Sequence, residues 1–117
     1  MLFGKKKVSG EQQELADRAK SLPKKKIVQF TYLKTKDLES QLDADINSVL
    51  NLEPSNYYAS KTKFYDCVFY FDEIYTQIFM QFQLVENDKK TFEGKYYPIT
   101  LELFSQILMK FGQRLNF

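Results

Sequence analysis

The single thiol, Cys67, stands in the run Phe64-Tyr65-Asp66-Cys67-Val68-Phe69-Tyr70-Phe71. A nucleophilic cysteine needs a nearby base and an electropositive setting that lowers its pKa. The chain has no His, and the neighbours of Cys67 are almost all apolar or aromatic. Cys67 therefore reads as a small core hydrophobe. Among the carboxylates, Asp43-Ala44-Asp45-Ile46-Asn47 copies the first half of a calcium loop. Such a loop requires Gly at its sixth position and Glu at its twelfth, and here those positions hold Ser48 and Pro54. Asp66, Asp72 and Glu73 offer further carboxyl groups, but a hydrolytic pair needs a set separation across a cleft that strand spacing does not define. Asp72-Glu73 reads instead as a polar turn. Asp66 interrupts an apolar strand and assigns its face to solvent or to a partner. With no imidazole, no cysteine pair and no glycine-rich phosphate loop, the reading is a non-enzymatic protein with no catalytic residue, no metal and no cofactor.

The lysines suggest a different chemistry. The net charge of +2 hides an uneven distribution: residues 1–36 hold ten Lys/Arg against three acids, whereas residues 37–117 hold seven against twelve. Lys5, Lys6, Lys7, Lys24, Lys25 and Lys26 form two triplets that could neutralise phosphates. The plainer reading is a solvated basic tail, or one that lies on the chain's own acidic surface. The first residues place charge after the apolar pair Leu2-Phe3 and contain no apolar stretch of secretory length. No apolar run reaches the roughly 18–20 residues that cross a bilayer. A cytoplasmic location is expected, and peripheral membrane contact by the basic segment is not.

These residues must be positioned by a small number of elements. Ser9-Gly10-Glu11-Gln12 has the form of a capping box. Leu15, Ala19 and Leu22 follow at helical spacing up to Pro23, which predicts a helix over 10–21 with a thin apolar face. Residues 27–33 are β-branched and aromatic and predict a strand. Leu38, Leu42, Ile46, Val49 and Leu50 trace one helical face and predict a helix over 36–51, with Thr35 as its cap. Two strands are expected over 64–71 and 74–85, with Asp72-Glu73 between them. A third is expected over 91–97, with a bulge at Gly94. Pro98 then opens a helix over 99–114. The expected fold is α+β: an antiparallel-rich four-stranded sheet, in the order helix-strand-helix-strand-strand-strand-helix, with two helices packed on one face. Residues 1–25 read as a basic appendage with a short helix and residues 26–117 as one α+β domain. A right-handed crossover would make the first two strands parallel, and the sequence leaves this open. The expected core is Leu38, Leu42, Ile46, Val49, Leu50, Cys67, Phe69, Phe71, Ile78, Met80, Phe82, Phe104, Ile107, Leu108 and Phe111.

Period two leaves a second sheet face carrying Val68, Tyr70, Tyr75, Gln77, Phe79 and Gln81, which is half aromatic and nearly free of charge. Aromatic side chains are enriched and charges depleted at the centres of protein interfaces. These six residues are the candidate interface of a protein-interaction module or accessory subunit that pairs with itself or with another protein. The second reading is nucleic-acid binding, with the lysine triplets on phosphates and the sheet aromatics stacking on bases. A third possibility is that the N-terminal helix of the same chain covers this face.

Overall fold

A computed structural model of the protein describes residues 10–32, 37–54 and 62–111. Helix α1 spans Gly10–Lys20. It is followed by β1 over Lys24–Thr31, α2 over Leu38–Ala44 and a 3₁₀ turn over Ile46–Asn51. The rest comprises β2 over Lys63–Phe71, β3 over Ile78–Glu86, β4 over Lys89–Pro98 and α3 over Leu101–Phe111. The strands form one sheet in the order β1-β2-β3-β4, and every neighbouring pair is antiparallel. The architecture is the expected α+β fold. The crossover alternative falls, because β1 and β2 run antiparallel from Lys24 opposite Phe71 to Thr31 opposite Phe64.

The helix expected over 36–51 is divided at Asp45. Its backbone is extended there (φ −156°, ψ 103°), and its carboxylate accepts a hydrogen bond from the Asn47 N–H at 3.0 Å. Asp favours this capping role because its short acceptor competes with the helical ladder. Thr35 lies outside the described residues. The last helix starts later than Pro98, with the Thr100 hydroxyl accepting from the Leu103 N–H at 3.0 Å. The β2–β3 connection covers Asp72–Gln77, so Ile74 and Thr76 are turn residues and not strand residues. A short strand–strand turn without Gly or Asn is disfavoured, and the chain makes a longer one. Asn87 and Asp88 both adopt positive φ, 51° and 68°, and close the tight β3–β4 hairpin.

The bulge falls where expected: Gln81 opposes Tyr96 while Gln83 opposes Glu93, so β4 holds an extra residue around Gly94. Glycine suits this close approach. A Cβ at Gly94 would collide with the Glu39 carboxylate and lie 3.1 Å from the Phe82 carbonyl oxygen. Glu39 also accepts from the Lys95 N–H at 2.7 Å. Asp43 takes the Lys95 ammonium at 2.8 Å and the Tyr97 hydroxyl at 3.0 Å. These contacts fasten α2 to β4 and commit Asp43 and Asp45 to separate structural roles, away from the calcium-loop pattern.

One sheet face meets α2, the 3₁₀ turn and α3. Of the expected core residues, twelve are buried there, and Ile46, Leu50 and Leu108 pack against them half-buried. Val28, Phe30 and Leu103 join them. Phe30 is fully buried, with its ring 4.8 Å from and nearly perpendicular to that of Phe111. Edge-to-face geometry of this kind suits the aromatic quadrupole.

Candidate functional site

The site is built on the second sheet face, and register defines it. Lys25, Tyr70, Phe79 and Pro98 are successive cross-strand neighbours. Ile27, Val68, Gln81 and Tyr96 form the next row, and Gln29, Asp66, Gln83 and Glu93 the one after. Helix α1 crosses this face. Ala16 and Ala19 are buried against Val68, Tyr70, Phe79 and Tyr96, with Leu15 and Leu22 half-buried beside them. Two alanines one helical turn apart let the backbone approach the aromatic rings closely.

Side chains anchor the helix at both ends. The Gln12 amide donates to the Tyr96 carbonyl at 3.2 Å and accepts from the Tyr96 N–H at 2.9 Å. Gln12 thus pairs with the outer edge of β4; the other member of the expected box, Ser9, lies outside the described residues. Arg18 sits 5.3 Å above the Phe79 ring and donates to the Gln77 amide oxygen at 3.1 Å.

This arrangement corrects the expected interface. Val68, Tyr70, Phe79 and Gln81 are all less than a tenth exposed within the chain. The apolar face is filled by α1, so aromatic enrichment there reflects an intrachain core. Gln81 is a buried polar strut: it accepts from Tyr70 Oη and Gln83 Nε2 and donates to the Gly94 carbonyl at 3.1 Å. Gln77 is held by Arg18. Tyr75 lies on the other side, stacked 5.4 Å from Phe71 and tilted 6.2 Å from Phe104. The helix 10–20 is therefore docked on the sheet, and the boundary expected at residue 25 falls inside β1.

The lysines are redistributed by the same pleat. Lys25 reaches the outer face, with its ammonium 5.6 Å above the Tyr70 ring. Lys24 and Lys26 pair with Phe71 and Phe69 and so belong to the opposite face. Lys24, Lys25 and Lys26 do not form one phosphate-binding row. Lys5, Lys6 and Lys7 lie outside the described residues.

Helix α1 leaves part of the outer face open. A half-open pocket of about 370 Å³ lies beside its C-terminal end. Leu22, Ile27 and Val68 supply its apolar wall, and Tyr70, Tyr96 and Gln83 close the inner side. Lys20, Lys25 and Lys90 surround the mouth, with Glu93 paired to Lys90 at 2.9 Å. Ile27 is 46% exposed, so the apolar wall is accessible. Lys90 holds the Glu93 carboxyl below its ordinary range. Burial raises the Tyr96 phenol above its ordinary value, with a further contribution from Tyr70, and keeps it neutral.

Asp66 lies in the row of Gln29 and Gln83, next to the pocket-lining Gln83. Burial pushes its carboxyl up, against the opposing pull of the Gln29 amide and Lys90. Its Oδ1 atom is buried without a hydrogen-bond partner among the described residues. Cys67 is fully buried and its thiol is raised well above the ordinary range, the reverse of an activated nucleophile.

The pocket was not legible in the sequence. Its basic residues come from α1, β1 and β4, and only the sheet register brings them together. No protein-family model matches the chain, and no curated protein or solved structure matches it either. Among the described residues no helix is long and apolar enough to cross a membrane.

Proposed function

We propose that this chain is a non-enzymatic interaction module, and that the pocket beside α1 receives a protein segment with an apolar residue flanked by acidic ones. The observation that carries this reading is the accessible apolar wall of Leu22 and Ile27 beneath Lys20, Lys25 and Lys90. Apolar contact supplies affinity, while the lysines select charge and speed the encounter. A cytoplasmic setting goes with this reading, because a lone buried thiol suits a reducing compartment.

Nucleic acid is the weaker reading. Base stacking needs open ring faces. Tyr70 and Tyr96 are each less than a tenth exposed, and Arg18 lies over Phe79.

The test is a titration with a fluorescent peptide containing isoleucine between glutamates, run beside a single-stranded oligonucleotide. Peptide binding should weaken about tenfold or more, or at least about 1.4 kcal/mol, in a Lys25→Glu/Lys90→Glu variant. Tight oligonucleotide binding with a steep salt dependence, and no peptide binding, would overturn the proposal in favour of phosphate recognition.

A further inference from the structure

The chain carries a convex feature whose chemistry matches the pocket. The Asp72–Gln77 turn is held by its own hydrogen bonds. The Asp72 carboxylate accepts from the Gln77 N–H at 3.0 Å and from the Thr76 hydroxyl. The Tyr75 N–H donates to the Asp72 carbonyl at 3.1 Å. Tyr75 takes a left-handed conformation, φ 61°, that a tyrosine seldom adopts. Its ring is stacked on Phe71. The fixed loop presents Ile74, which is 75% exposed. Leu101 at the start of α3, half-exposed, lies one helical turn before Phe104, which neighbours the Tyr75 ring. The charged residues in the turn and the first turn of α3 are Asp72, Glu73 and Glu102, all acidic.

An apolar tip with acidic neighbours is the complement of an apolar pocket with a lysine rim. The tip is already ordered, so little conformational entropy remains to be lost on docking.

We propose that the Asp72–Gln77 turn of one copy seats in the pocket of a second copy, with Ile74 against Leu22 and Ile27 and Glu73 beside Lys25 and Lys90. The inference rests on the pocket being the partner site. The two surfaces differ, so the contact is heterologous: each copy that docks its turn leaves its own pocket available to another. Association then grows with concentration unless a ring closes.

The test uses the full chain in two variants. Glu73→Lys/Ile74→Ala removes the tip and keeps the pocket. Lys25→Glu/Lys90→Glu removes the rim and keeps the tip. All four positions are half-buried or more exposed, and thermal melts check that both variants fold. Molar mass is read by light scattering after size exclusion. Wild type should rise in mass with concentration, and each variant alone should self-associate at least tenfold more weakly. The equimolar mixture should form a species of twice the chain mass and stop there, because only one competent tip and one competent pocket remain. A mixture that stays monomeric would overturn the proposal, as would a wild type that is monomeric up to about 1 mM, where even millimolar affinity would register. If wild type is monomeric but still binds the acidic peptide, self-recognition fails and the pocket reading survives. If neither occurs, both fail. Should Glu73→Lys/Ile74→Ala melt early, Ile74→Ala alone replaces it, leaving the turn's charges and backbone bonds in place.

Discussion

Replacing Phe79 with alanine distinguishes a sheet face open to partners from one covered by the chain's own helix. Phe79 is 2% exposed, with Arg18 over its ring and the buried alanines of α1 in the same cluster. Truncating a buried phenylalanine costs about 3–5 kcal/mol in lost transfer energy and residual cavity. A domain's total stability is typically about 5–15 kcal/mol, so this is a large share. At about 2.1 cal/mol/K per residue, the unfolding entropy of 117 residues is about 0.25 kcal/mol/K. The midpoint should therefore fall by about 12–20 °C. Differential scanning calorimetry gives this shift, with light scattering on the same samples. Phe92→Ala, at a position 38% exposed, is the control and should change stability by no more than about 1 kcal/mol. A Phe79→Ala protein that melts within about 3 °C of wild type, yet loses oligomeric mass or a bound partner, would refute the docked helix and restore the face as an interface.

Three further outcomes are expected. Gly94→Ala should lose about 1–3 kcal/mol in urea unfolding, because the new methyl group meets the Glu39 carboxylate and the Phe82 carbonyl. Asp66→Asn should be more stable than wild type at neutral pH, with the difference vanishing in acid. A carboxyl whose folded pKa is raised weakens the fold only once it ionises. The effect is absent below the unfolded value of about 3.9 and complete above the folded one, and urea midpoints across pH would reveal an opposite slope if the reasoning is wrong. Cys67 should resist a thiol reagent at about pH 8 in the native protein and react fully in denaturant, since only the thiolate attacks; rapid native labelling would contradict its burial.

The helix-covered core was legible because period two in β2 and β3 and the spacing of apolar residues in α3 depend on local geometry alone. Phe30 and Val28 escaped because β1 was flanked by lysines that obscured its alternation. The break at Asp45 was hidden by an apolar stripe that continues across it. What failed on the outer face was a choice among coverings. Aromatic content marks a surface that avoids water, but not which chain removes it from water. Ala16 and Ala19 carried the missing signal: small residues at helical spacing look weak as a core stripe, although they permit close packing on rings. Alternation that persists through Ile74 and Tyr75 predicts a strand there, whereas backbone hydrogen bonds to Asp72 make a turn.

The pairing of Gln12 with Tyr96 joins residues 84 positions apart and sets an order of events for a chain made from its N-terminus. Residues 10–20 leave the ribosome about eighty residues before β4 is complete. At about 5–20 residues per second, that interval is about 4–16 s. An 11-residue helix is marginal on its own in water. Throughout that time α1 has no strand edge to grip, and the rings of Tyr70 and Phe79 emerge with nothing yet positioned over them. Helix α1 therefore docks only once β4 is made, and until then the rings it covers are the kind of exposed apolar surface on which nascent chains aggregate.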